Sequence, residues 1–278
     1  MTTFQALIDA FLRTLAQMLP FSERVPNAVL QGLMHWSEGT LEILCLVFLM
    51  GSIAFLVFFR FDWMGIFSAF FRSLLQPLTL KAELRSLDQH TLMFLILIFV
   101  PALLVRRFIT PLLSDDLFTH PFVNAALTAL LAFGLYFSHR WNKRIHGLNH
   151  LKLGDGFLIG AMSLLSVHPA IPYVGTLWIG FALCNYHYEA VFKYSMMAVG
   201  LTIFAGTVSL LSHVGLHNAF DTVGHLNCIA ILVVSFVTFW MGLENLQKNL
   251  NEGTYKTFQW LNTLFAIFFI VFYFIKDY

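Results

Sequence analysis

Long apolar blocks that contain almost no charged residues constrain this chain more than any other feature of its sequence. Such blocks occur at Leu41–Phe59, Thr91–Val105, Pro121–Ser138, Tyr194–Ser212, Leu226–Leu243 and Thr257–Ile275. A helix needs about 20 apolar residues to cross roughly 30 Å of hydrocarbon, and a backbone in lipid must satisfy its hydrogen bonds within the spanning segment. The sequence therefore predicts an all-α integral membrane protein with about six transmembrane helices.

Composition agrees with the membrane prediction and excludes one class of partner. Charged residues make up only 11% of the chain and apolar residues 58%, whereas soluble domains carry about 25% charged residues. The formal net charge is +1, and a nucleic-acid-binding protein needs a clustered basic face. We therefore expect no nucleic-acid partner.

Two further apolar regions are interrupted by proline. The region 4–36 is broken at Pro20, and the region 157–184 is broken at Pro169 and Pro172. Proline removes a helical hydrogen bond and clashes with the preceding turn, so each region should form two half-helices. Non-helical backbone at membrane depth survives only where protein or a water-filled cavity covers it. The pattern predicts two re-entrant helical hairpins.

The interrupted regions occupy matching places in two halves of the chain, which is typical of an inverted-topology repeat with a binding site near the membrane midplane. The first half, 1–138, comprises the hairpin 4–36 and the spans 41–59, 91–105 and 121–138. The second half, 139–278, comprises the hairpin 157–184 and the spans 194–212, 226–243 and 257–275.

Lysine and arginine are concentrated in the loops after the first, third and fifth spans. Positive residues in short loops favour the cytoplasmic side. These loops contain Arg60, Arg72, Lys81 and Arg85, then Arg140, Lys143, Arg144 and Lys152, then Lys248 and Lys256. The bias predicts that both termini lie outside and that the hairpins enter the membrane from opposite sides.

Ionisable residues within membrane segments are expensive, which makes them functional candidates. In the first hairpin Asp9, Arg13 and Gln17 recur every four residues and form a polar stripe, and Ser22 and Glu23 follow the proline break. Arginine offers a fork of donors suited to phosphate, so one interpretation is an anion or headgroup site. The alternative is an internal Asp9–Arg13 ion pair that only neutralises both groups.

In the second hairpin the candidate ligand-binding residues are His168, Tyr173 and Thr176. The start of a half-helix after a proline break presents backbone N–H groups that favour an anion. The alternative is that His168 is a hydrogen-bonded structural histidine and that Tyr173 and Thr176 are packing residues. The spacing of His, Cys and acidic residues predicts no metal site, and the sequence leaves any cofactor unknown.

The sequence resembles the BacA-type undecaprenyl-diphosphate phosphatases, which are membrane enzymes of cell-wall lipid-carrier recycling. In that family the first hairpin reads E-G-x-x-E-F-L-P-x-S-S-x-x-H, and residues 13–26 here read RTLAQMLPFSERVP. The family's glutamates, serine pair and histidine thus fall at Arg13, Gln17, Ser22, Glu23 and Pro26. The second family motif, P-G-x-S-R-S-G, corresponds to PAIPYVG at residues 169–175.

The resemblance implies the family's six-span inverted repeat in a bacterial inner membrane and a cavity for a polyprenyl tail with a phosphate head. Its catalytic residues are largely replaced, since the S-R-S core becomes Pro172, Tyr173 and Val174. The sequence therefore favours a non-hydrolytic binder or transporter of a polyprenyl phosphate or similar anionic lipid. One alternative is a divergent phosphatase that uses Glu23, His168 and Glu189. Another is an inactive subunit with a membrane-protein partner, and a homodimer is also possible.

Overall fold

The computed structural model describes residues 2–22, 41–75, 87–108 and 120–276, which form α-helices joined by short connections and contain no β-strand within those ranges. The helices are α1 (Thr3–Met18), α2 (Leu41–Phe58), α3 (Arg60–Leu75), α4 (Leu87–Phe108), α5 (Pro121–Trp141), α6 (Leu153–Ser163), α7 (Tyr173–Leu183), α8 (Tyr188–Val214), α9 (Leu216–Val223), α10 (His225–Asn249) and α11 (Glu252–Lys276). A short 3₁₀ helix, Leu164–Val167, continues α6.

The prediction of an all-α membrane protein is confirmed. Helices α2, α5, α8 and α10 are long and apolar enough to cross a bilayer. Helices α4 and α11, of 22 and 25 residues, contain the remaining two predicted spans. Helix α2 matches its predicted span to within one residue. The other five helices extend beyond theirs because their ends carry polar residues that hydropathy alone excludes. The second arm predicted for the first hairpin, residues 25–36, lies outside the described residues.

The second interrupted region folds as two short helices with a turn between them. Helices α6 and α7 have 11 residues each, which corresponds to about 16 Å, or half of a bilayer core. The turn spans residues 168–172, and Pro172 is the N-cap of α7. A β-bridge between His146 and Tyr186 joins the segment before α6 to the segment after α7. The two helices therefore start and finish at the same end of the bundle.

A proline within α4 explains how α6 and α7 are attached to that helix. Pro101 lies inside α4 and has no N–H to give to the carbonyl of Leu97. Gly160 of α6 packs directly on that carbonyl, since a Cβ at this position would lie 2.2 Å from the Leu97 oxygen. The hydroxyl of Tyr173 donates to the neighbouring carbonyl of Ile98 at 3.4 Å. Helix α6 thus packs on α4 at the carbonyl that Pro101 leaves without its helical donor.

Helix α2 lies between α8 and α10 in the centre of the bundle. The hydroxyls of Ser52 and Thr207 form a buried hydrogen bond of 2.8 Å between α2 and α8. Next to it, Gly51 leaves room for the ring of Phe239, which would be 2.7 Å from a Cβ at that position. Small residues let helix backbones approach closely, as is common in membrane proteins.

Charged side chains connect the helices at one end of the bundle, which we call the basic end because Arg60, Arg144, Lys193 and Lys248 lie there. The carboxylate of Glu252 lies 2.8 Å from Lys256, 3.3 Å from His139 and 3.3 Å from Arg144. These contacts join α11 to the end of α5 and to the loop that follows it. Glu252 is the first residue of α11, ahead of the predicted membrane span.

The Glu252 contacts predict an acid-sensitive contribution to stability. Hydrogen bonds from Lys256, His139 and Arg144 lower the pKa of Glu252 from 4.5 to about 2. Because the folded-state pKa is depressed, the stabilisation is complete above about pH 4.5 and is lost as the pH falls towards 2. We expect the melting temperature of Glu252→Gln in detergent to decline less over this window than that of the wild type.

A matched control is Glu189→Gln, which changes an exposed glutamate at the start of α8. No ion pair of Glu189 is present among the described residues. This variant should follow the wild-type pH profile. Parallel profiles for the wild type and Glu252→Gln would show that the Glu252 contacts do not contribute to stability.

Candidate functional site

The two proline-broken turns meet inside the bundle at a place that we call the hairpin junction, defined by Pro20–Ser22 after α1 and by residues 168–172 between α6 and α7. The hydroxyl of Ser22 donates to the carbonyl of Pro169 at 3.4 Å. Ser22 and Pro20 are both buried. The structure therefore brings together turns that are about 150 residues apart in the chain.

The polar stripe of α1 contains the ion pair that the sequence allowed. The Nε of Arg13 donates to the Asp9 carboxylate at 2.9 Å, with side-chain exposures of 17% and 3%. This contact uses one of the five N–H donors of the guanidinium. Gln17 lies one turn further along the same helix and is half-buried. The ion pair is confirmed, and a ligand contact of Arg13 or Gln17 stays a prediction.

His168 is buried in the turn at the hairpin junction. Its Nδ1 accepts a hydrogen bond of 3.1 Å from the backbone N–H of Ala170. A ring nitrogen that accepts a hydrogen bond carries no proton, so in neutral His168 the proton is on Nε2. The local backbone thus selects the tautomer in which Nε2 is a donor.

Tyr173 and Thr176 are both buried, and their hydroxyl groups are bonded to backbone carbonyls. Tyr173 reaches Ile98 of α4, and the Thr176 hydroxyl donates to the carbonyl of Tyr173 at 2.8 Å. These bonds support the packing interpretation of both residues, because they hold α7 against α4 and close its first turn. A ligand role for them stays a prediction. Glu23, the remaining predicted ligand, lies outside the described residues.

Asn262 of α11 is a residue of the junction that the sequence analysis missed. It is fully buried, and its Nδ2 donates to the carbonyl of Pro20 at 2.7 Å and to that of Phe258 at 2.8 Å. Its Oδ1 has no hydrogen-bond partner among the described residues. A buried acceptor without a donor is costly. The signal was an amide side chain within the span Thr257–Ile275, where polar groups are functional candidates.

Glu189, which the sequence analysis proposed for a divergent phosphatase, lies away from the junction. Glu189 is exposed at the start of α8, at the basic end. His168 lies at the opposite end of α7, about 16 Å away along that helix. Glu189 therefore does not reach a phosphate bound at His168. In the described ranges, no three His, Cys, Asp or Glu side chains converge as a metal site would require.

These observations define a class of protein, namely polytopic α-helical membrane proteins in which two interrupted apolar segments meet inside the helix bundle. The sequence matches the family described as Bacitracin resistance protein BacA over residues 6–268. The chain belongs to this family.

Proteins named undecaprenyl-diphosphatase are similar to the chain over nearly its whole length. The protein of Moorella thermoacetica is 22% identical over 277 residues, which is 99% of this chain and 100% of the relative. The protein of Caldicellulosiruptor bescii is 24% identical over 277 residues, 99% of each chain. That of Bifidobacterium adolescentis is 26% identical over 271 residues, covering 93% of this chain and 90% of the relative.

Proposed function

We propose that the chain binds the phosphate head of a polyprenyl phosphate, or a similar anionic membrane lipid, at the hairpin junction without hydrolysing it. Relatives named undecaprenyl-diphosphatase act on a polyprenyl lipid, which supports a lipid ligand. We further propose that the protein lies in a bacterial inner membrane with both termini outside. The observation that carries the non-hydrolytic part is the hydrogen bond from Ala170 to Nδ1 of His168.

That bond limits what His168 can do for a bound phosphate. A general base must accept a proton from the attacking group, and the ring nitrogen able to accept one is already occupied by a backbone N–H. The protonated Nε2 can instead donate to a phosphate oxygen. His168 is therefore suited to hold an anion rather than to activate water.

Arg13 adds positive charge on α1, about 10 Å before Pro20 along the helix. It stands where the resembling family has a glutamate, so a potential acid or base is replaced by a permanent cation. Its pairing with Asp9 fixes the guanidinium within the bundle. We assign the main phosphate contact to Arg13, with hydrogen bonds from Ser22, Gln17 and His168. Tyr173 and Thr176 would position α7. Glu23, the residue after Ser22 in the sequence, completes the proposed set of ligand residues.

The arrangement of the helices supports a transport role based on two inverted halves, 1–138 and 139–278. Helices α6 and α7 extend into the bundle from the basic end. Met18, at the end of α1, packs against Gly242 of α10, where a Cβ would lie 2.6 Å from its methyl group. Gly242 lies near the basic end of the bundle, because only residues 243–249 of α10 come after it. Helix α1, about 24 Å long, therefore extends from there towards the opposite end of the bundle. Opposite directions of entrance fit alternating access.

A divergent phosphatase is the second candidate, because the similarity to proteins named undecaprenyl-diphosphatase covers 99% of the chain. Such an enzyme would have to work with Glu23 and His168, since Glu189 lies at the other end of α7. The third candidate is a subunit without activity of its own that associates with a membrane-protein partner or with a second copy of the chain.

Native mass spectrometry of the detergent-extracted protein with added undecaprenyl phosphate tests the proposal. We expect one bound lipid per chain in the wild type. The double variant Asp9→Ala/Arg13→Ala should weaken binding about tenfold, because it removes a charge-assisted contact worth about 1.5 kcal/mol and leaves neither partner of the ion pair behind. Arg140→Ala is the matched control, since it removes an exposed arginine at the end of α5, and its affinity should stay at the wild-type level.

A phosphate-release assay with undecaprenyl diphosphate separates the candidates. The proposal expects no release above background. Release that is lost in His168→Ala would establish the phosphatase instead. Absence of bound lipid together with a stoichiometric protein companion would favour the subunit role.

A further inference from the structure

A lateral groove on the outside of the bundle is separate from the hairpin junction. It has a volume of about 290 Å³ and is lined by Val57, Phe236, Val237, Trp240 and Met241. All five side chains are apolar or aromatic, and those of Val57, Val237 and Met241 are exposed. In a membrane protein such a groove faces hydrocarbon, so it can hold part of a lipid chain.

Aromatic contacts give the groove a defined shape. The rings of Phe236 and Trp240 stack with centroids 6.1 Å apart, and Phe58 of α2 packs edge-on against Trp240 at 5.5 Å. The indole N–H of Trp240 donates to Glu244 at 2.9 Å, one turn nearer the basic end. A tryptophan with an apolar body and a polar edge is typical of the membrane–water interface. The groove therefore ends at the level of lipid headgroups.

Two cations lie at this end of the groove. Arg60 is the first residue of α3, donates to the carbonyl of Val57 at 3.2 Å and packs over Phe61. Lys248 lies one turn beyond Glu244 on α10, with 3.8 Å between their charged atoms. No carboxylate among the described residues lies within ion-pair distance of Arg60. One acidic and two basic side chains leave the rim with a net positive charge.

The groove and the hairpin junction lie on different faces of α10. Gly242, which contacts Met18 of α1, is rotated by about 200° from Trp240 on a helix of 3.6 residues per turn. A lipid in the groove is thus separated from a ligand at the junction by the helix itself.

We propose that this groove is a binding site for an anionic phospholipid, with one acyl chain against Trp240 and Phe236 and the phosphate at Arg60 and Lys248. Guanidinium groups bind phosphate through paired N–H donors. Basic positions between transmembrane helices recognise acidic headgroups, whereas a zwitterionic headgroup carries its own cation and gains less. The site goes beyond the proposed function and does not depend on it.

Quenching of tryptophan fluorescence by brominated lipids measures occupancy of the groove. The protein is reconstituted in phosphatidylcholine vesicles that contain brominated phosphatidylglycerol or brominated phosphatidylcholine at the same low mole fraction. The difference between wild type and Trp240→Phe isolates the emission of Trp240. We expect brominated phosphatidylglycerol to occupy the groove about fivefold more often than brominated phosphatidylcholine, given two cations at the rim.

The double variant Arg60→Ala/Lys248→Ala should lose this preference, and high salt should weaken it in the wild type. The double variant Arg140→Ala/Lys143→Ala removes the same number of positive charges from exposed positions at the same end and should retain the preference. Equal quenching by both lipids in the wild type would overturn the proposal. A preference for brominated phosphatidylglycerol that persists in a monodisperse Arg60→Ala/Lys248→Ala protein would also overturn the proposal, because the two cations would then not select the headgroup.

Discussion

Asp9→Ala should destabilise the protein more than the double variant Asp9→Ala/Arg13→Ala. The single change leaves the half-buried Arg13 guanidinium without the carboxylate that pairs with it at 2.9 Å. Breaking a buried ion pair from one side costs about 3–5 kcal/mol, whereas removing both charges can be nearly neutral. Unfolding of the purified protein in mixed micelles, followed by circular dichroism, measures the difference.

The control for Asp9 is a comparable pair at the surface. Asp62 and Lys193 join α3 to α8, with side-chain exposures of 33% and 30%. Water screens such a pair, so Asp62→Ala should cost less than about 1 kcal/mol. A double variant as unstable as Asp9→Ala would show that the loss of the carboxylate, rather than the charge that remains on Arg13, causes the damage.

Gly160→Ala is the second change for which we expect a large effect. The new Cβ would lie 2.2 Å from the carbonyl oxygen of Leu97. The obstruction is backbone within a helix, which cannot rotate away as a side chain can. We expect a loss of about 3 kcal/mol, at the upper end of the range for overpacked interiors, measured by the same unfolding assay.

Gly154→Ala is the matched control, because Gly154 lies in the same helix, α6, and a Cβ there would meet nothing within 4 Å. Alanine has the higher helix propensity, so this variant should be neutral or more stable by up to about 1 kcal/mol. If both alanine variants behave alike, the close contact between α6 and α4 is absent in the protein in solution.

Hydropathy was sufficient to predict the long apolar helices of this chain, because the cost of exposing backbone groups to lipid leaves few alternatives. The proline positions likewise predicted where α1 ends and where α6 and α7 are separated, since proline acts on its own helix. The sequence also placed Arg13 one helical turn from Asp9. Each of these features depends on neighbours within a few residues.

The contacts at the hairpin junction could not be predicted in the same way. The tautomer of His168 follows from the position of the Ala170 N–H in an irregular turn. The hydroxyl of Tyr173 is bonded to the carbonyl of Ile98 in α4, 75 residues earlier in the chain. Hydropathy gives neither which helices are adjacent nor how they are rotated, so it could not separate ligand residues from residues that hold the fold.

The hydrogen bond between Asn262 and Pro20 has a consequence for how the protein is made. It joins residues that are 242 positions apart, so the turn after α1 lacks this contact until α11 has left the ribosome. At about 5–20 residues per second, that delay is roughly 12–50 s. During this interval the N-terminal segment sits in the membrane with an incomplete set of hydrogen bonds. Quality-control proteases that act during insertion would therefore recognise the N-terminal segment of the chain. The segment stops being a target only when α11 has been synthesised and Asn262 can bond to Pro20.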